Sequence, residues 1–222
     1  WRGENLLDPD ARWSDPSHLA THRLAVDPAA LLSAAAARIA PRADTDWARA
    51  FARAEAAAEA ALARALDQAP ELGEARAVRE ITALLPEGAA LYASNSMPVR
   101  DVDTFLPRSE RSLRVLVNRG ANGIDGLNSC ALGAAAAGPG PVVLLTGDLA
   151  FLHDLAGLAV ARRFGPKVLF AVLDNDGGGI FSFLPIATHA EAVGFERLFR
   201  TPHGLSLERA GALFDLPATR VR

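Results

Sequence analysis

The sequence predicts an α/β protein, a doubly wound parallel sheet with helices on both faces. Three observations predict it. From residue 44 onward, short apolar β-type runs alternate with segments of helical spacing, the order that builds a parallel sheet. The runs are bounded by glycine and proline, as at Gly138-Pro139-Gly140-Pro141 and Gly147. Finally, Asp148 and Asn175 each follow the end of such a run, 27 positions apart, with one helix between them.

Taken in order, residues 1–45 read as irregular, with Pro9, Pro16, Pro28 and Pro41 and only brief apolar stretches. Asp44–Ala69 is an alanine-rich helix whose low-complexity Ala54–Ala65 tract serves packing, and Glu74–Leu85 is a second helix, ended by Pro86-Glu87-Gly88. Ala89–Ala93 and Leu113–Val117 are strands, and Val142–Thr146 is a third. Leu149–Phe164 carries apolar residues at helical spacing and stops at Gly165-Pro166; Lys167–Leu173 is then a further buried strand. A helix of about 14 residues runs ~21 Å back along the sheet, and a strand of six or seven residues climbs about as far. Asp148 and Asn175 therefore finish side by side at the carboxyl edge, where open α/β folds bind ligands. Leu216–Arg222 leads toward what reads as another strand.

Half of the 222 residues are hydrophobic, enough for a sizeable core, and the net charge is −3 without a basic run. This argues against nucleic acid or a membrane surface as partner. The uncharged stretch 127–147 is broken by Gly138-Pro139-Gly140-Pro141, which excludes membrane insertion there. No signal peptide is visible. The single Cys130, in an alanine-rich segment, reads as a small core residue, and one cysteine suits a reducing, cytoplasmic setting. The chain opens with Trp1 and its one methionine is Met97, so the expectation is a piece of a longer polypeptide.

The paired edge residues point to a chemistry. Asp148 offers a carboxylate, Asn175 an amide oxygen, and the turn Gly177-Gly178-Gly179 backbone carbonyls and amides. Such oxygen ligands suit Mg²⁺, which shares its shell with water and phosphate. The helix beginning after Asp148 directs its amino end to the same place, favourable for an anion. Singly, Gly-Asp after a strand is a capped turn and Asn-Asp-Gly a common one; together they make a metal-bridged diphosphate the economical inference. His18 and His22 have the spacing of a helical zinc pair, but no third ligand is near and chance is the better account.

Gly147-Asp148 followed by Asn175 resembles the thiamin diphosphate motif of thiamin-dependent enzymes. Longer strings, Ser94-Asn95-Ser96-Met97-Pro98-Val99-Arg100-Asp101, Asn118-Arg119-Gly120-Ala121-Asn122-Gly123-Ile124-Asp125-Gly126 and Asn175-Asp176-Gly177-Gly178-Gly179-Ile180-Phe181-Ser182, resemble the 2-succinyl-5-enolpyruvyl-6-hydroxy-3-cyclohexene-1-carboxylate synthase (MenD) family. The resemblance is dense over residues 88–186 and departs where Asp174 stands in place of the second Asn of many relatives.

It implies a transferase that decarboxylates 2-oxoglutarate and adds the succinic-semialdehyde unit to isochorismate, a step of menaquinone biosynthesis. Its cofactors would be thiamin diphosphate and Mg²⁺, with Mn²⁺ as a substitute. Metal ligands would be Asp148, Asn175 and Gly177. Cofactor contacts would come from Ser96, Ile124, Gly147, Asp148, Leu149, Asn175, Gly177, Gly178, Ile180, Phe181 and Leu184. Ile124 would support the cofactor's bent shape; Ile180, Phe181 and Leu184 would wall the thiazolium pocket. Ser96, Arg100 and Arg119 would bind substrate carboxylates, the competing reading being surface pairs with Asp101, Asp103 or Asp125. Independently of the resemblance, the segment Thr188–Gly204, with His189 and His203 near its ends, is expected to close over the site as a lid, and no histidine is expected as acid or base.

Residues 1–40 would be the tail of a middle domain and a linker, and 41–222 a diphosphate-binding domain incomplete at its carboxy end. The amino-terminal pyrimidine-binding domain would be absent, and with it a glutamate that acts from a partner subunit of a homodimer or homotetramer. Residues 1–222 alone would then be inactive. Competing readings are an acetohydroxyacid synthase or 2-oxo acid decarboxylase with the same cofactor, and a noncatalytic nucleotide-binding module. Against the last, no Gly-x-Gly-x-x-Gly opens a helix and no Walker-type lysine motif is present.

Overall fold

The computed structural model describes residues 4–165 and 167–221. Residues 1–3, Arg222 and Pro166, the last of which the sequence reading places at a helix end, lie outside the described residues. The chain divides into two compact units between Ala56 and Ala57.

The first unit is more regular than its sequence suggests. Strands β1 (Glu4–Leu7) and β2 (Ala20–Leu24) form a two-stranded parallel sheet, and α1 spans Pro28–Ala36. The strands carry little apolar periodicity, so hydrophobic pattern does not reveal them. Asp15 accepts from the Ala20 amide (3.0 Å) and the Ser17 hydroxyl (2.8 Å), fixing the approach to β2. Helix α1 starts where Asp27 accepts from the Ala30 amide at 2.8 Å, with Pro28 in the first turn. Helix α2 (Asp46–Gln68) begins at Thr45, whose hydroxyl accepts from Ala48. None of its residues is buried, so the expected packing role of its alanines is not seen within this chain.

The second unit is the predicted doubly wound sheet. Helix α3 (Glu74–Leu84) precedes β3 (Ala90–Ala93); then come α4 (Met97–Phe105), β4 (Arg114–Val117), α5 (Leu127–Ala137), β5 (Val142–Gly147), α6 (Asp148–His153), α7 (Leu158–Phe164) and β6 (Val168–Leu173). The sheet order is β4-β3-β5-β6 and every pairing is parallel. Strand side chains alternate between faces, and the core divides accordingly. Leu91, Ala93, Val143 and Leu145 pack with Val78 of α3 and Val102 of α4. Ala90, Tyr92, Val142 and Leu144 pack on the opposite face with Leu127 and Ala131 of α5. Each fully buried leucine here contributes roughly 1.5–3 kcal/mol.

Three expectations are corrected. The helix foreseen over 149–164 is interrupted at Asp154 and by a 3₁₀ turn, Leu155–Gly157. Buried Asn128 donates to the carbonyls of Phe151 and Asp154, both at 2.9 Å, and draws them off the helical ladder. β6 is not a buried strand but the sheet edge, with Leu169 62% exposed. Cys130 is exposed, because α5 buries Leu127, Asn128, Ala131 and Leu132 and turns Cys130 away. Beyond β6 the chain forms 3₁₀ turns at Gly179–Phe183 and Pro185–His189, α8 (Ala190–Val193), a π-helical turn at Glu196–Arg200 and α9 (Leu207–Ala212). Among the described residues no strand follows Leu216.

Candidate functional site

At the carboxyl edge of the sheet, the loops leaving β3, β4, β5 and β6 enclose a cavity of about 410 Å³. Ser96, Arg100, Arg119, Ile124, Gly147, Asp148, Leu149, Asn175, Gly177, Gly178, Ile180 and Phe181 all line it. Leu184 does not. It stands past the 3₁₀ turn, 45% exposed, because the short turn ends before its side chain can point inward.

Asp148 is the most deeply set of these groups, 2% exposed. Its Oδ1 accepts from the Leu149 amide (2.6 Å) and its Oδ2 from the Gly177 amide (2.8 Å). At the amino end of α6, where an anion contact is expected, the Leu149 amide, second in this six-residue helix, is taken by Asp148. His203, with a nearly buried side chain, places Nε2 3.3 Å from Asp148 Oδ2. Asp148, Asp174 and His203 hold ligand atoms within 4.8 Å of one another. Yet the Leu205 amide donates to His203 Nδ1 at 3.0 Å. A neutral His203 therefore carries its proton on Nε2 and has no lone pair to offer a metal there. A cation here would be left to oxygen ligands.

Asn175 supplies one. Its Oδ1 is buried and unpartnered, while Nδ2 donates to Glu74 at 2.8 Å and its carbonyl accepts from Arg200 at 3.0 Å. A buried amide oxygen without a donor is costly, and a hard cation satisfies it. The residues present thus fit a hard divalent ion such as Mg²⁺.

The glycine turn is pressed against the π-helical turn. A Cβ at Gly177 (φ +135°) would overlap the Arg200 carbonyl oxygen, and one at Gly178 would run into the Phe199 carbonyl. The Gly178 amide donates to Arg200 O at 2.7 Å. Asp176, at φ 58°, accepts from the amides of Gly204 (2.8 Å) and His203 (3.0 Å), which hold its carboxyl below the usual range. Of the segment 188–204, expected as a lid, residues 199–204 support the glycine turn directly. Phe181 meets Phe199 edge-on at 5.7 Å, and Phe199 stacks on Phe195.

On the opposite side, Arg100 donates to the Ser96 carbonyl (2.7 Å) and Arg119 to Asn95 Oδ1 (2.8 Å). Among the described residues neither pairs with Asp101, Asp103 or Asp125; Asp125 lies near His153 instead, at 3.7 Å. Both guanidinium groups thus keep donors for another ligand. Ser96 takes φ 71°, a conformation that L residues rarely adopt, and such outliers cluster at ligand sites. Ile124 both packs on the α5-side core and lines the cavity.

Sequence reading missed two polar side chains of the site. Asn95 donates to the carbonyls of Asn118 (2.7 Å) and Gly123 and so ties the β3 and β4 loops together. Glu74 reaches the cavity from the first turn of α3. Behind it lies Asp101, 3% exposed, whose pKa is pushed up to about 7 by burial, then by the Glu74 charge and the hydrogen bond between them.

A parallel sheet with an acid-amide pair and a glycine turn at its carboxyl edge defines the class: the diphosphate-binding domain of thiamin diphosphate enzymes. Residues 106–203 match the family model described as "Thiamine pyrophosphate enzyme, C-terminal TPP binding domain". Relatives named 2-succinyl-5-enolpyruvyl-6-hydroxy-3-cyclohexene-1-carboxylate synthase are similar over most of the chain. The protein of Myxococcus xanthus is 50% identical over 75% of this chain and 28% of its own length. That of Rubrobacter xylanophilus is 47% identical over 91% and 35%, and that of Haloarcula marismortui 42% identical over 97% and 36%. The chain belongs to this synthase family and spans about a third of the length of these relatives. Similar solved structures include a benzoylformate decarboxylase from Polynucleobacter necessarius, 19% identical over 66% of this chain and 28% of that one, with a TM-score of 0.48.

Proposed function

We propose that the chain is the diphosphate-binding part of a thiamin diphosphate- and Mg²⁺-dependent transferase acting on 2-oxoglutarate and isochorismate in menaquinone biosynthesis. The observation that carries the metal and cofactor assignment is the buried, unpartnered Asn175 Oδ1 in the same cavity as Asp148. The synthase reaction rests on the named relatives. When bound, the cofactor supplies the electron sink that lets a 2-oxo acid lose CO₂ and its carbonyl carbon act as a nucleophile.

Every other role belongs to the chain itself. Asp148 Oδ1, Asn175 Oδ1 and the Gly177 carbonyl would hold the cation, with Mn²⁺ able to replace Mg²⁺. Ile124 would support the cofactor from the sheet side. Ile180 and Phe181 would exclude water, which protects a nucleophilic carbon from protonation. Arg100 and Arg119 would take substrate carboxylates, for which a guanidinium offers paired donors, and Ser96 would assist. Residues 1–40 would belong to a preceding domain and linker. The working enzyme would be a cytoplasmic homo-oligomer whose sites are shared between subunits. Among the described residues no helix is long and apolar enough to cross a membrane.

Calorimetry with thiamin diphosphate and Mg²⁺ tests the cofactor assignment. Asp148→Ala should weaken binding roughly 10²–10³-fold, from the ~3–5 kcal/mol lost when a buried charge cluster is broken, with the fold intact. Unchanged affinity would remove the metal site. Product analysis of the complete enzyme with isochorismate against pyruvate as acceptor tests the reaction, and preference for pyruvate would favour an acetohydroxyacid synthase.

A further inference from the structure

A carboxamide has two ends of nearly equal shape and opposite character. Whether Asn175 serves a cation depends on which end faces the cavity, since an NH₂ group there would repel the ion. Rotation of the main chain is restrained by Arg200, which donates to the Asn175 carbonyl at 3.0 Å. Rotation of the side chain is decided elsewhere. Glu74 Oε1 lies 2.8 Å from Asn175 Nδ2, across 101 positions of sequence. A carboxylate only accepts hydrogen bonds, so the Asn175 end that meets it must be the NH₂. Oδ1 is thereby turned the other way, where it is buried and unpartnered. Asp101, 3% exposed, is a neighbouring carboxyl that Glu74 faces.

We propose that Glu74 is the positioning residue of the cation site: by taking the Asn175 amide hydrogens, it presents Oδ1 to the divalent ion. The inference rests on the reading of Asn175 as a metal ligand. Residues that orient a ligand typically change metal affinity 10–100-fold when removed.

Mn²⁺ binding by the full chain, followed by electron paramagnetic resonance in the presence of thiamin diphosphate, tests it without reference to turnover. Glu74→Leu removes the acceptor and should weaken Mn²⁺ at least tenfold. Glu74→Gln removes the charge but keeps an oxygen for Asn175 and should stay within about threefold of wild type. Equal losses in the two variants would mean that only charge matters and would overturn the proposal, as would tight binding in Glu74→Leu. If Glu74→Leu fails to fold, Asn175→Asp decides. Beside Glu74 it sets two carboxylates together and should lose Mn²⁺ affinity, and Asn175→Asp with Glu74→Gln should recover it because the new amide can donate. Absence of that recovery would overturn the proposal. Wild-type binding that needs Asp148 but not Glu74 would sink this inference alone; wild type that binds no Mn²⁺ would sink the metal reading beneath it too.

Discussion

Asp101 sits where a carboxylate is least at ease, enclosed by α3 and α4 with Glu74 as neighbour. Its pKa is raised from 3.8 to about 7, so the folded protein holds this proton more tightly than the unfolded chain. The stability contributed by that proton is fully present below about pH 4 and lost as pH rises through about 7. Asp101→Asn keeps an amide donor for Glu74 and cannot ionise. Melting temperatures from pH 4 to 8 should therefore fall less steeply in the variant, which should be the more stable protein at pH 8. Parallel curves would show that Asp101 stays ionised. Nothing in the sequence marks Asp101 or Glu74 as a pair, because neither belongs to a strand-end frame and only folding brings α3 beside α4. Asp148 and Asn175 were legible for the converse reason: each directly follows a strand, and strand geometry fixes where it ends. Cys130 misled, since an alanine-rich segment has no polar stripe to show which side faces water.

Between β6 and α9 the elements are short and held by main-chain contacts together with the Phe181, Phe199 and Phe195 rings. The glycine turn rests on the Phe199 and Arg200 carbonyls. Gly177→Ala brings both a steric overlap and a φ of +135° that alanine resists. We expect it to cost well over ~1 kcal/mol and to abolish cofactor binding measured by calorimetry, while far-UV circular dichroism retains the sheet signal. Intact binding would mean that the π-helical turn yields. The three glycines were visible in the sequence as a turn; their buttress was not, because carbonyl contacts leave no residue signature. The break at Asp154 was hidden for a similar reason. It is caused by Asn128, whose position within α5 announces nothing about a helix packed beside it.

Across the whole molecule, the sheet's alternation of faces follows from the period of two in β3 and β5, which is why the fold class could be read from apolar runs alone. The first unit could not, its strands being short and polar. The resemblance to much longer relatives leads to an expectation for the chain as it stands: residues 1–222 assayed alone with 2-oxoglutarate, isochorismate, thiamin diphosphate and Mg²⁺ should give no synthase turnover. Measurable turnover would place the whole catalytic apparatus here. The cavity draws on the segments after all four strands of the larger sheet. Anything seated there rivets those segments to one another, so occupancy becomes resistance to unfolding, about 2.7 kcal/mol when the ligand stands at a hundred times its dissociation constant. Scarcity of the vitamin would then register twice, as idle sites and as a polypeptide more readily degraded.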